Sequence, residues 1–261
     1  MLINFNQIDH FIKYPAIGFV FMLISLAVCA DGSIQTLQFD DGVYQGQVTN
    51  GLPHGKGTFA SPDGRQYDGD WKEGMMDGEG TWIYPNGSKY SGQFRQNKTH
   101  GNGTLSYADG SVYVGEFVQD AIEGQGTWTY PDGRNYVGRW SNGKLNGPGI
   151  STHPDGRIYD GDWKNGKSHG SGTFTYADGA VYVGEFEDGK VQGAGRLTFS
   201  DGKQSYTGEF ADGKRDGQGA FTSSNGARIV GKWKGDKIWK GKEFSPTGKV
   251  VAFYVNGIRS K

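Results

Sequence analysis

The residues best suited to chemistry in this chain are a Gly-Lys-Ser run, three histidines and two aspartate pairs. Gly161-Asp162-Trp163-Lys164-Asn165-Gly166-Lys167-Ser168 matches the phosphate-binding pattern GxxxxGK[ST], whose backbone N–H groups and lysine cradle phosphates when a strand precedes it and a helix follows. His54, His100 and His169 each precede a Gly-x-Gly pair and could offer imidazole to a metal. Asp68 with Asp70, and Asp160 with Asp162, could share acid–base work or hold Ca²⁺. Asn86, Asn97 and Asn102 each open an Asn-x-Ser/Thr glycosylation sequon.

All of these belong to one periodic string. Tyr44, Tyr67, Tyr90, Tyr113, Tyr136, Tyr159 and Tyr182 follow one another at 23 residues, Tyr206 comes 24 later, and Ile229 takes the same place after another 23. Two positions on is always glycine, from Gly46 to Gly231. Four positions on is a large apolar residue: Val48, Trp71, Phe94, Phe117, Trp140, Trp163, Phe186, Phe210, Trp233. One supersecondary unit stacked nine times accounts for this pattern. The repeat also accounts for the phosphate-loop match, because Gly138 to Lys144, Gly184 to Lys190 and Gly208 to Lys214 fit it up to the hydroxyl. The nearest histidines lie two repeats apart, and four strands at ~4.8 Å put them ~19 Å from each other, too far to share a metal. The expectation is a non-enzymatic chain with no catalytic residue, cofactor, metal or nucleotide.

Within one unit, Tyr113, Gly115 and Phe117 alternate with Val114 and Glu116, and Gly126, Trp128 and Tyr130 alternate with Thr127 and Thr129. Both runs have the period of a strand, and a polar bend of about six residues joins them into a hairpin. Asp63-Gly64, Asn86-Gly87, Asp109-Gly110 and their equivalents to Asn225-Gly226 mark tight turns between units. No helical period follows residue 31. The predicted fold is all-β: an elongated single-layer antiparallel β-meander of repeated hairpins, with eighteen strands, one aromatic/glycine face and one threonine-rich polar face. Each aromatic ring is expected to lie flat over a glycine of the neighbouring strand. Ile34 to Gly42 reads as a capping strand, and Val250 to Val255 as a final edge strand.

The 261 residues carry a net charge of -1 with both signs spread along the repeat, which argues against nucleic acid as a partner. Forty-six glycines without a three-residue period exclude collagen, and 14% aromatic residues exclude a disordered linker. Residues 1–30 stand outside the repeat. Ala16 to Val28 is almost wholly apolar after Lys13, and Val28-Cys29-Ala30 offers small residues for cleavage, the layout of a secretory signal. The expected location is therefore secreted or periplasmic. The alternatives are a membrane anchor over residues 11–30, or lipidation of Cys29, for which Val28 departs from the usual lipobox. The organisation that follows is 1–30 signal or anchor, 31–43 capping half-repeat, 44–251 repeat array and 252–261 capping strand and tail.

The string from Tyr159 through Gly161, Trp163, Gly166, Gly170 and Gly172 to Gly179 resembles a MORN repeat from end to end, and the resemblance runs from Tyr44 to about Val251. It implies an extended antiparallel β-meander acting through protein partners, by self-association or at a lipid membrane surface. Some members carry an enzymatic domain beside the repeats, and the non-repeat sequence here is too short for one. The function expected is an exported repeat scaffold for protein–protein interaction, with a membrane-surface or lipid-binding module as the alternative. Its candidate binding face is the aromatic row Tyr67, Trp71, Tyr90, Phe94, Tyr113, Phe117, Tyr136, Trp140, Tyr159, Trp163, Tyr182 and Phe186, since tyrosine and tryptophan are favoured at interfaces.

Overall fold

A computed structural model describes residues 32–261. The predicted signal or anchor segment and Cys29 lie outside the described residues. All regular structure among the described residues is strand, twenty-one in number from β1 (Ser33–Phe39) to β21 (Ile258–Ser260), and no helix there is long and apolar enough to cross a membrane. The fold class is the antiparallel meander of hairpins expected from the sequence.

The chain divides into two compact units. One runs to residue 132 and takes in 139–144, so that it holds β1 to β9 (Ala121–Thr129). Each of those strands pairs antiparallel with the next in chain order. The other comprises 133–138 and 145–261 and holds β11 (Lys144–Thr152) to β21 in the same serial pairing. β10 (Asn135–Ser141) contributes residues to both.

The hairpin of β12 (Ile158–Lys164) and β13 (Lys167–Thr175) shows how one unit is built. Tyr159 pairs with Phe174 and Gly161 with Gly172; the register then slips, and Trp163 pairs with Ser168. Asp162 therefore stands opposite three residues, His169 to Ser171, and β13 bulges there. The turn itself is only Asn165-Gly166, both with positive φ (51° and 77°), the two-residue form whose twist matches the flanking strands. The expected six-residue bend is thus replaced by strand, because the bulge absorbs the polar residues into the sheet. In three other units a side chain on the straight strand holds the bulge in place: Lys56, Glu79 and Gln125 donate their N–H groups to Gln47 Oε1 (2.8 Å), Asp70 Oδ2 (2.9 Å) and Glu116 Oε1 (2.8 Å).

Turns between units follow the Asp-Gly signals. Gly64 has φ 94° and donates to the Ser61 carbonyl, while Ser61 donates to that of Arg65. At the far end β20 has the predicted bounds, Val250–Val255. It is not the edge, because Asn256-Gly257 turns the chain and β21 pairs outside it. The face away from the rings is not purely polar either: Val114, Val137 and Val183 are exposed there among the threonines.

Candidate functional site

The twelve rings expected to form a binding face are the core. None of Tyr67, Trp71, Tyr90, Phe94, Tyr113, Phe117, Tyr136, Trp140, Tyr159, Trp163, Tyr182 and Phe186 is more than 6% exposed. Tyr67, Tyr90, Tyr113, Tyr159, Tyr182 and Tyr206 each meet, edge to face, the ring four residues on and the equivalent ring of the next repeat. Tyr90 meets Phe94 at 5.1 Å and Phe117 at 4.9 Å; Tyr159 meets Trp163 at 5.1 Å and Phe186 at 4.9 Å. Each such pair contributes about 0.5–1.5 kcal/mol beyond the area it buries. A single sheet thereby makes its own core, and these rings serve folding before they serve recognition.

Glycine makes that packing feasible in two distinct ways. At Gly170 the bulge requires φ +61°, a region side chains avoid. At Gly172 the conformation is ordinary, but a Cβ would stand 2.7 Å from the ring of Tyr159. The rings also satisfy polar groups inside the sheet. Tyr67 and Tyr159 donate their hydroxyls to the carbonyls of Asp70 (2.9 Å) and Asp162 (2.7 Å), residues at the bulge. Trp71, Trp140, Trp163 and Trp233 donate Nε1–H to Gly57, Gly126, Gly149 and Gly219 at 2.9–3.1 Å. Burial raises the hydroxyl pKa values, that of Tyr182 to about 12.

A second row of side chains, on the returning strands, was not singled out from the sequence. Phe59, Trp82, Leu105, Trp128, Ser151, Phe174, Leu197 and Phe221 occupy one repeat position. In the N-terminal unit this row is closed: Trp128 stacks on Tyr107 at 5.1 Å and meets Trp140 at 5.8 Å. In the C-terminal unit it opens. Ser151 interrupts it, and a groove of about 660 Å³ lies there, walled by Phe174, Tyr176, Phe186 and Val191. Tyr176 is 36% exposed and meets Phe174 edge-on at 4.7 Å. The rim carries Arg134, Arg157, Lys167 and Lys190 with Asp188 and Asp212. Lys167 faces Asp188 at 3.7 Å, and Lys190 and Asp212, at 2.6 Å, each hold the other's charge, the lysine pKa moving up and the aspartate's down. Comparing the second strands of the repeats at a fixed offset would have found the gap at Ser151.

The other chemical candidates resolve into the repeat. Gly161 to Lys164 lie in β12 and Lys167-Ser168 open β13, so the phosphate-loop match is a hairpin with no helix after it. His100 and His169 sit in bulges, where Tyr90 and Tyr159 approach their carbonyls at 3.3 Å. Asp70 caps its bulge and pairs with Lys56 at 2.8 Å. No group of three or more His, Cys, Asp or Glu side chains among the described residues could hold a metal ion.

A family model described as MORN repeat matches eight segments: 44–64, 67–89, 90–112, 113–133, 136–156, 159–181, 182–204 and 206–228. The ninth unit, from Ile229, falls outside the match, although β18 (Arg228–Lys234) and β19 (Lys237–Phe244) continue the hairpin register and bury Trp233. No curated protein matches the chain in sequence. Among solved structures, the TCP10 domain of Danio rerio CPAP in complex with a STIL peptide is 16% identical, with 78% of this chain and 96% of that one covered and a TM-score of 0.38. The SAS-4 TCP domain of Drosophila melanogaster with a proline-rich motif of Ana2 is 10% identical over 90% and 98%, with a TM-score of 0.25. Virginiamycin B lyase of Staphylococcus aureus is 15% identical over 85% and 74%, with a TM-score of 0.16. None of these likenesses is close enough to transfer a function.

Proposed function

Because the chain belongs to the MORN repeat family, we propose that it is a non-enzymatic repeat scaffold whose work is to hold another protein. The observation that carries this reading is the groove of the C-terminal unit. It is the place where the second row opens, and it combines an exposed tyrosine, apolar walls and a charged rim. That combination of a partly exposed aromatic with polar groups around it is what protein interfaces favour. The rim charges pair with one another, as Lys167 does with Asp188, which suits recognition better than proton transfer. A photo-crosslinking residue at position 176, compared with one at position 183 on the opposite face, tests the reading. Adducts with a protein from 176 and not from 183 are expected. Equal labelling, or flotation of the protein-free chain with liposomes, would favour the lipid-surface reading instead.

Self-association has its own support at the C-terminal end. Val250, Val251, Phe253, Val255, Ile258 and Trp239 are all exposed there, an apolar cluster of the kind that marks a contact surface. Sedimentation of the chain with and without Phe253→Asp tests it: a mass that does not change argues against this contact. We also propose that residues 1–30 direct export, on their signal-like layout; the mature N-terminus, read by mass spectrometry, tests that.

A further inference from the structure

The outward face of the last hairpins carries charge of one sign. Residues 228–261 hold nine Lys and Arg side chains but only two acidic ones, Asp236 and Glu243, in a chain whose net charge is -1. Both acids are engaged, Asp236 with Arg215 at 3.2 Å and Glu243 with Arg259 at 2.7 Å. On β18 and β19, Lys232 stands directly opposite Lys240, and Lys242 opposite Val230. All three lysines are exposed, and among the described residues none of them forms an ion pair. Like charges directly opposite each other weaken a sheet. Lys232 holds the repeat position of Asp70, which instead pairs with Lys56 across its strands at 2.8 Å. The same face continues onto β20 and β21 as apolar surface: Lys242 faces Phe253, Lys240 faces Val255, and Val255 faces Ile258. Phe253, Val255 and Ile258 are 46%, 57% and 72% exposed. Lysine commonly guards an open edge, but here the lysines lie two and three strands inside it, and the outermost strands carry the apolar side chains.

We propose that this face docks an acidic amphipathic helix of the protein partner, its apolar stripe on Phe253, Val255 and Ile258 and its carboxylates over Lys232, Lys240 and Lys242. This rests on the scaffold reading above and adds a surface on the side of the sheet away from the rings. An apolar helix stripe is a common cover for an open sheet face. The outermost strand, β21, has three residues, too short a template for strand addition, so recognition falls to the face. The lysines are longer than the Val255 and Phe253 side chains opposite them. A flat bilayer would therefore meet ammonium groups before apolar side chains, whereas a helix can lower a narrow stripe beside them. A second copy presenting the same patch would set its lysines against these three, since an isologous contact joins identical surfaces. Acidic side chains flanking the stripe relieve the repulsion between Lys232 and Lys240 and draw the partner in.

The test is selection on the immobilised full chain of a phage-displayed helical-bundle scaffold randomised along one exposed helix, since short isolated helices are marginal in water. The counter-target is the triple variant Lys232→Gln, Lys240→Gln, Lys242→Gln. It removes like charges from exposed positions, so it should melt at or above the parent; if it melts below, Lys240→Gln alone replaces it. Expected clones carry an apolar stripe flanked by Asp or Glu and bind the triple variant at least about tenfold more weakly. Phe253→Ser should weaken the same clones, and Lys56→Gln, in the N-terminal unit, should leave them unchanged. No enrichment, basic or uncharged clones, or clones that ignore the counter-target would overturn the site. Retention of the parent but not the triple variant on phosphatidylserine vesicles would also overturn it, by giving the patch to a membrane. So would a sedimenting mass that differs between the two, which would give it to a second copy of the chain. Crosslinking from position 176 that succeeds while the selection fails would leave the scaffold standing and remove only the helix site.

Discussion

Trp163 reaches back fourteen residues to donate its indole N–H to the carbonyl of Gly149 at 2.9 Å. The acceptor sits on the strand before it, in register opposite Gly161, and the ring can approach because position 149 has no side chain: a Cβ there would stand 3.3 Å from the indole. Trp163→Phe keeps the edge-on contact with Tyr159 and loses this bond. It is expected to lower stability by about 1–2 kcal/mol, within the range for leaving a buried carbonyl unpaired. Equilibrium unfolding in denaturant measures it; a variant as stable as the parent would show that water replaces the indole.

Tyr136 is fully buried, and its ring meets Trp163 at 6.2 Å. Tyr136→Ala should cost about 3 kcal/mol or more, as large-to-small changes at aromatic core positions do. A thermal melt that superimposes on the parent's would refute the account of the rings as core.

Gly170 and Gly172 are constrained for different reasons, and substitution separates them. Asn tolerates positive φ, so Gly170→Asn should be mild, whereas Gly172→Asn must displace the ring of Tyr159 from 2.7 Å and should cost about 1–3 kcal/mol from overpacking. Equal losses in a chemical melt would mean that backbone conformation, not ring contact, governs both positions.

Burial raises Tyr84 and Tyr182 to about 12. A hydroxyl whose folded value lies above its unfolded value of about 10 contributes stability that is complete below that pH and is lost as pH rises through the folded value. The sheet should therefore be insensitive to pH up to about 10 and weaken between there and about 12. Tyrosinate absorbance rising together with loss of circular dichroism is the expected signature. Tyrosines that titrate near 10 while the sheet persists would contradict their burial.

Asp120 is the parallel case among carboxylates. Its Oδ1 accepts from Thr99 N at 2.8 Å, and burial still raises its pKa. The raised value means stability present below the unfolded pKa of about 3.9 and lost as pH rises through the folded one. Asp120→Asn keeps the acceptor and the φ of 71° without the buried charge. Its melting temperature should equal or exceed the parent's at neutral pH, with the gap closing in acid. A clear drop at neutral pH would mean that the charge itself holds Thr99.

The fold was legible because each of its devices is written at a fixed offset: Tyr159, Gly161 and Trp163 share one face by alternation, and Asp178-Gly179 closes the unit. The bulge at His169 to Ser171 was not legible. Gly170 and Gly172 look alike in the string, and only pairing shows that one bends the backbone while the other makes room for a ring. The candidate face went astray for a related reason. Alternation places Tyr159 and Phe186 on the same side of the sheet, but it does not say whether that side is covered. Here the rings cover one another.

The secondary structure, the serial pairing and the location of the aromatic face are written in the string, because they follow from local periods and turn chemistry that act within one 23-residue unit. Which rings close into the core and where the row opens are properties of the folded sheet. Those outcomes depend on how side chains from successive strands share volume, and a serine in place of a ring at position 151 changes nothing local while removing a neighbour from the sheet's second row.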